Sequence, residues 1–201
     1  PFWHVGLFPV QFPVFALASS FALILAVWGF FGPCHDPRYG QQLFVLGVIT
    51  VIFQVIKTYF VWADFSQSIY GGLPMNVAAV NELLFGQYWW GFWILQVGVG
   101  SLLPVVILLM PRLARQPIWA GSAGAMALFG FAVARANIVF PALTIPEIDA
   151  LVYAFSDARL QFAYFPSLME WAVTAGIIGL TTAAFFIAYD HLPFLKLKEV
   201  S

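Results

Sequence analysis

The sequence predicts an all-α integral membrane protein, a bundle of five transmembrane helices. Hydrophobic residues make up 62% of its 201 residues and charged residues only 8%. A soluble domain is about 45–50% apolar and about 25% charged. Five segments also reach the length of about 20 apolar residues that a spanning helix needs. So few charges could not keep a domain of this size in water, and we therefore expect the bilayer to be its solvent.

The predicted spans form a single membrane domain with connections of unequal length. Residues 32–40 form a short loop, whereas residues 64–87 and 141–166 form long ones, and the last is expected to contain a short interfacial helix. Pro104 lies inside the third span, where it should kink the helix and free a backbone carbonyl near Gly100. The spans run from about 8–31, 42–62, 88–110, 118–140 and 168–189.

The distribution of basic residues predicts the orientation in the membrane. Lysine and arginine are enriched in the cytoplasmic loops of membrane proteins. Five basic residues lie on one side of the predicted bundle, against Arg159 on the other. This places the N-terminus outside and the C-terminus in the cytoplasm. The five are Arg38, Arg112, Arg115, Lys196 and Lys198.

Composition and histidine placement exclude several functions. The net charge of −1 does not suggest a nucleic-acid partner, and the single cysteine, Cys34, cannot ligate an iron–sulfur cluster or form an internal disulfide. Membrane haems are held by histidines within helices, whereas His4, His35 and His191 lie outside the spans or at their ends. We therefore expect no haem, iron–sulfur cluster or other metal site in this chain, and the sequence offers no candidate catalytic residue.

Ionisable residues within spans are costly and mark candidate functional sites. Lys57, Arg135 and Glu170 are predicted at a similar depth, so that opposite charges could pair across helices. Asp64 lies two turns beyond Lys57, and Asn137 lies close to Arg135. Together these five residues predict a quinone site or a proton path. Two alternatives remain: the cations extend to the lipid headgroups while Glu170 meets water, or the charges only lock the helices together.

Several segments resemble one family of membrane subunits. They are ELLFGQYWWGFW at 82–93, GSLLP at 100–104, ARANIV at 134–139 and YFPSLMEW at 164–171. Their order and spacing are similar to those of NrfD-like polysulfide reductase membrane subunits. Residues 1–20 resemble the start of the second half of the ten-helix members, such as those of alternative complex III. Since the family has eight to ten spans, the resemblance implies that this chain is the C-terminal half of a larger subunit. Two arrangements stay open, with the N-terminal bundle in an absent segment or on a separate chain.

The resemblance implies a membrane anchor in a respiratory oxidoreductase complex of a prokaryotic cytoplasmic (inner) membrane. Such subunits hold no redox cofactor and exchange electrons between menaquinone, or another quinone, and an iron–sulfur subunit. A molybdopterin or multihaem subunit often lies beyond, with other membrane subunits and lipid around the anchor. In the family the quinone site lies mainly in the N-terminal bundle. Arg135, Asn137 and Glu170 would then serve a second polar network or proton path, with Glu170 the favoured relay.

Two other functions fit parts of the sequence. Intramembrane charges, a kinked helix and five spans are also typical of half a secondary transporter, which would have an inverted homologous half. A purely structural assembly subunit would use the charges only to hold its helices together. Neutral substitution of Glu170 separates the structural function from the quinone-linked one, because only the latter loses turnover while the complex still assembles.

Overall fold

The structure, a computed structural model, describes residues 8–72, 74–146 and 164–191. Every element within these ranges is helical, and five helices are long and apolar enough to cross a membrane, which confirms the predicted fold class. The chain divides into two units, Pro1–Phe162 and Ala163–Ser201. Helices α1 to α6 belong to the first unit and α7 to the second. They are α1 Phe8–Phe31, α2 Tyr39–Tyr70, α3 Pro74–Leu84, α4 Gly91–Leu109, α5 Pro111–Ala114, α6 Pro117–Thr144 and α7 Leu168–His191.

Helix α2 is longer than its apolar stretch. Its span was predicted to end near residue 62, followed by a loop over 64–87, but the helix continues to Tyr70 and α3 fills much of the rest. No proline or glycine interrupts the chain between residues 63 and 70, so hydropathy falls there while the helix continues. Gly72, at a φ of +65°, lies just beyond the helix in a conformation that favours glycine. The interfacial helix predicted within 141–166 falls mostly on 147–163, outside the described residues.

Helix α4 changes its hydrogen-bonding pattern along its length. Gly91–Leu102 is π-helical, and Leu103–Leu109 is α-helical with Pro104 in its first turn. Proline has no N–H, so it cannot donate to the Gly100 carbonyl one α-helical turn earlier. Nε2 of Gln54, on α2, donates to that carbonyl at 2.7 Å instead. A side chain of a neighbouring helix therefore supplies a donor to the carbonyl that proline was predicted to free.

Helix α6 packs tightly against α1 and α4 through glycine. A Cβ built on Gly130 would lie 2.3 Å from Cα of Gly100, and one on Gly124 would lie 2.6 Å from the backbone nitrogen of Ala26. Small residues allow membrane helices to approach this closely and gain van der Waals contact. Four helices begin or end at one side of the first unit, the side where α3 lies. We call this side the α3 end. There α1 and α4 begin and α2 and α6 end.

We expect Gly130→Ala to destabilise the first unit by about 1–3 kcal/mol, because its methyl group would overlap backbone atoms of α4. The gain in helix propensity, about 1 kcal/mol, does not offset that overlap. Gly40→Ala is the matched control, since its Cβ would meet nothing closer than 3.4 Å. Thermal unfolding in detergent should show a lower midpoint for Gly130→Ala only. Equal midpoints would contradict the tight contact.

Candidate functional site

Lys57 is buried between three helices. It lies on α2, its residue is 1% exposed, and its Nζ donates to Oγ of Ser101 on α4 at 3.2 Å. The same nitrogen lies 4.3 Å from the ring centre of Phe131 on α6, a cation–π distance. Lys57 does not therefore extend to the lipid headgroups, as one alternative had predicted. A cation is instead held inside the bundle by one hydroxyl and one aromatic face.

The Ser101 hydroxyl connects this lysine to a wider polar network. Oγ of Ser101 accepts a 2.8 Å hydrogen bond from Nε2 of Gln54 and donates to the backbone carbonyl of Gln96 at 2.9 Å. The side-chain Oε1 of Gln96 accepts from Nδ2 of Asn137, on α6, at 2.7 Å. Oε1 of Gln54 is buried without a hydrogen-bond partner in the described parts of the chain. The network thus crosses α2, α4 and α6 and leaves one strong acceptor free.

The network opens into a groove between α2 and α4. Two depressions, of about 530 and 480 Å³, both include Thr58, Trp62, Val97 and Ser101 in their lining, and together we call them the lateral groove. Gln54 lines the first and Lys57 the second. Most of the remaining lining is aliphatic or aromatic. Apolar walls with a few placed polar groups are typical of small-molecule sites.

A smaller space, which we call the polar cavity, lies near the α3 end. Its volume is about 30 Å³, and four helices each place one polar side chain in its wall. Oδ1 of Asp64 is buried without a hydrogen-bond partner among the described residues. The Gln11 amide lies in the same wall as that carboxylate. The cavity exceeds the volume that one water molecule needs. The four side chains are those of Gln11, Asp64, Gln96 and Asn137.

Three side chains separate the polar cavity from the lateral groove. Val61, Phe65 and Gln96 line both spaces. Lys57 and Asp64 are seven residues apart on α2, so they project within about 20° of each other and about 10 Å apart along the helix. The structure therefore brings a cation and a carboxylate to opposite sides of one thin partition.

Arg135 and Asn137 lie on different faces of α6. Asn137 is buried and part of the network, whereas Arg135 is exposed. Two residues correspond to a rotation of about 200° around a helix, so neighbours at this spacing cannot share a face. Of the five predicted site residues, the structure gathers Lys57, Asp64 and Asn137 around the two spaces, and it places Arg135 on the surface of the first unit.

Glu170 closes the first turn of α7 in the second unit. Its carboxylate accepts hydrogen bonds from the Tyr164 hydroxyl at 2.9 Å, the Ser167 backbone N–H at 2.6 Å and the Ser167 hydroxyl at 2.9 Å. The Glu170 N–H donates to Oγ of Ser167 at 3.4 Å, which completes a capping box. The hydrogen bond to Glu170 raises the pKa of the Tyr164 hydroxyl. Glu170 thus has a structural role, and its role as a proton relay stays a prediction.

Sequence reasoning missed Gln11, Gln96 and Ser101 as parts of a site. All three are uncharged, and hydrophobic spans often contain a few such residues. One signal was available, because a glutamine within a span must find a partner or leave its amide unsatisfied in hydrocarbon. Gln11 and Gln96 both lie within apolar runs. Treating long amides like charges would have added them to the candidates.

Comparison with known proteins places the chain in a family. The sequence pattern of the polysulphide reductase NrfD family matches residues 1–147. The chain belongs to the NrfD family. Its five apolar helices and this membership make it a multi-pass membrane protein. The family match covers four of those five helices and includes both spaces described above.

Three curated relatives are similar to this NrfD-family chain over most of its length. A selenate reductase subunit of Mesobacillus selenatarsenatis is 34% identical over 201 residues, 99% of this chain and 46% of the relative. The menaquinone reductase integral membrane subunit of Nitratidesulfovibrio vulgaris is 24% identical over 151 residues, 74% of this chain and 33% of the relative. The Hdr-like menaquinol oxidoreductase integral membrane subunit of Archaeoglobus fulgidus is 24% identical over 214 residues, with coverages of 98% and 52%.

The chain spans about half the length of these relatives, or less. No solved structure matches it. The NrfD relationship therefore extends over this chain but over only part of each relative.

Proposed function

We propose that this NrfD-family chain is part of a membrane anchor that passes electrons between a quinol and an iron–sulfur partner. The observation that carries the proposal is the Lys57 ammonium at the floor of the apolar lateral groove, so the proposed quinone site lies in this chain and not in the N-terminal bundle that the resemblance favoured. A quinone has carbonyl oxygens on a flat ring and an apolar tail. Its oxygens gain negative charge on reduction, and a preorganised cation stabilises charge as it develops. The groove offers apolar walls for the ring and tail.

The hydrogen-bonding groups of the groove match both redox forms of such a ligand. Nζ of Lys57 carries three N–H bonds and uses one of them on Ser101, so it can donate to a quinone oxygen. Oε1 of Gln54 is the buried acceptor without a partner in the described residues, and a quinol hydroxyl would satisfy it. Trp62 lines both depressions and Trp93 lines one of them, which suits a flat aromatic ring. Menaquinone is the ligand class we favour, since two relatives are named for menaquinone or menaquinol chemistry.

The proposal extends to partners and membrane. The names of the relatives, two reductase subunits and an oxidoreductase subunit, support assembly with catalytic subunits of a redox complex. We expect an iron–sulfur subunit next to this chain, with molybdopterin or multihaem subunits beyond it. The complex would lie in a prokaryotic cytoplasmic membrane, with the N-terminus of this chain outside and its C-terminus in the cytoplasm. Proton translocation would use the buried polar groups near Lys57, Asp64 and Asn137.

A photoreactive menaquinone analogue tests the proposed site in the complex purified from native membranes with a mild detergent. We expect label on peptides containing Gln54–Trp62 or Val97–Val105, removed by excess menaquinone. Mass spectrometry and iron analysis of the same preparation should find a cluster-containing partner.

A groove-filling variant sharpens the labelling test. Val97→Trp should abolish the label because Val97 lines both depressions. Val48→Trp is the matched control, since Val48 is 40% exposed on α2 and lines neither depression. Label outside the groove, or label that survives Val97→Trp, would contradict the proposed site. Purification of a single metal-free species would instead favour the transporter function.

A further inference from the structure

The partition between the polar cavity and the lateral groove separates two opposite charges. Lys57 lines the groove and Asp64 the cavity, and neither lining includes another charged side chain among the described residues. Lys57 is 1% exposed, and Asp64 is half-buried with its Oδ1 enclosed. A buried charge needs a counter-charge or must be neutralised. Asp64 is the charged side chain across the partition from Lys57, and Lys57 is the one across from Asp64. A proton moved from the lysine to the aspartate would leave both groups neutral.

The side chain of Gln96 is the polar part of that partition. Its carbonyl oxygen accepts from Asn137, and its backbone carbonyl accepts from Ser101, which also contacts Lys57. Val61 and Phe65 are the partition's apolar members. A change of rotamer at Gln96 would exchange the Asn137 contact for water and join the two spaces. The remaining separation, about 10 Å along α2, can be crossed by a short chain of water molecules.

We infer that Asp64 lies near the membrane surface at the α3 end. The 32 residues of α2 extend about 48 Å, whereas the hydrocarbon core is about 30 Å thick. Tyr59 and Trp62 are 61% and 63% exposed on α2. Exposed Tyr and Trp side chains are enriched at the interface of a bilayer, so we expect the interface near them. Asp64 follows them along the helix. A proton on its carboxylate is therefore close to water, whereas Lys57 lies deeper.

We propose that Lys57 and Asp64 are a proton-transfer pair and that Gln96 is the gate between them. An N–H bond of the Lys57 ammonium breaks, an O–H bond forms on the Asp64 carboxylate through intervening water, and no electron moves. Asp64 then releases the proton at the α3 end. The neutral amine of Lys57 accepts the next proton from quinol bound in the lateral groove. Oxidation of one quinol releases two electrons, which pass to the iron–sulfur partner, and two protons, which two cycles of the pair carry. Quinone reduction runs the cycle backwards.

This inference rests on the proposed function. A measurement of proton release tests the proton-transfer pair separately from the quinone function. The complex, reconstituted in vesicles, is assayed with a short-chain menaquinol for electron transfer to an artificial acceptor and, with a pH dye, for proton release at the α3 end. We expect Asp64→Asn to lower proton release about 100-fold, the scale of a lost acid–base group, while the Michaelis constant for menaquinol stays unchanged. Gln67→Leu, an exposed glutamine on the same helix, is the matched control and should behave as wild type.

A variant of the gate and a spectroscopic signal complete the test. Gln96→Leu should slow proton release and enlarge the solvent isotope effect. Infrared difference spectra of the wild type during turnover should contain the carbonyl band of a protonated carboxylic acid, and Asp64→Asn and Lys57→Met should lack it. If Gln96→Leu fails to assemble, the infrared comparison decides.

The failures are distinguishable. Full proton release by Asp64→Asn, or an unchanged carbonyl band in it, would overturn the proton-transfer pair and leave the quinone function standing. A wild-type complex that transfers no electrons from menaquinol would overturn both.

Discussion

Lys57→Met is expected to lower quinol turnover about ten- to hundredfold. A hydrogen bond to a charged group contributes about 1.5–3 kcal/mol, and each 1.4 kcal/mol is a factor of ten. The Lys57 ammonium is the cationic donor at the floor of the lateral groove. Methionine has a similar length but no charge and no donor. The measurement is menaquinol oxidation by the purified complex at saturating and limiting substrate.

The same variant should be as stable as the wild type, or more stable. Replacing a buried ion by an apolar side chain of similar volume is often neutral or stabilising, because the desolvation cost is removed. Loss of turnover together with preserved thermal stability and assembly is therefore the signature of a functional lysine. A structural assembly subunit predicts the reverse, with lower stability and unchanged turnover in the complexes that remain.

Gln42→Met provides the control for the lysine variant. Gln42 is an exposed residue in the first turns of α2, so its replacement removes a polar group without touching the lateral groove. We expect it to retain wild-type turnover. Equal losses in both variants would mean that any polar-to-apolar change on α2 impairs the complex, and the role of the lateral groove would then lose its support.

Gln54→Leu should destabilise the first unit by about 1–2 kcal/mol. Its amide is the donor for the Gly100 carbonyl, which Pro104 deprives of an α-helical partner. The variant leaves that carbonyl unsatisfied inside the bundle. An unsatisfied buried polar group costs about 1–3 kcal/mol in water-soluble proteins. Hydrogen bonds between membrane helices contribute somewhat less, so we expect the lower part of that range. Thermal unfolding in detergent measures it.

A double-mutant cycle with Pro104→Ala isolates the cause. Alanine at position 104 restores a backbone N–H that can bond to the Gly100 carbonyl, so Gln54→Leu should cost less in that background. Thr58→Val, one turn along α2 from Gln54, gives a second comparison, because among the described residues its hydroxyl bonds to the Gln54 carbonyl of its own helix. Strictly additive effects of the Gln54 and Pro104 substitutions would show that the two residues do not act on the same carbonyl.

The spans were predictable because they depend on composition alone. Five long apolar runs require five helices in a bilayer, and the structure has them close to the expected limits. The missing proline donor opposite the Gly100 carbonyl was predictable for a related reason, since a proline acts locally on the turn before it. The C-terminal extension of α2 was not predictable from hydropathy, because the residues beyond 62 are no longer mainly apolar. Only Gly71 and Gly72 indicate where the helix ends.

The polar sites were predictable only in part, because they depend on how each helix is rotated. Lys57 and Asp64 share a face by their spacing on one helix, but their relation to Gln96 and Asn137 requires three helix orientations at once. The π-helical pattern in α4 shifts those orientations, and no sequence rule places it. At Glu170, by contrast, the S-x-x-E pattern of residues 167–170 is readable as a capping box.

The π-helical part of α4 constrains how this segment can change in length. Conversion of a π-helical segment to an α-helix removes a residue, and one residue corresponds to a rotation of about 100°. A single deletion between Gly91 and Leu95 would therefore turn the N-terminal turns of α4 relative to Gln96 and Ser101, or turn those two away from their partners on α2 and α6. Residue count in this stretch is thus as restrictive as residue identity. Length variation in descendants of this chain should be absent from 91–102, even where the apolar side chains are freely exchanged.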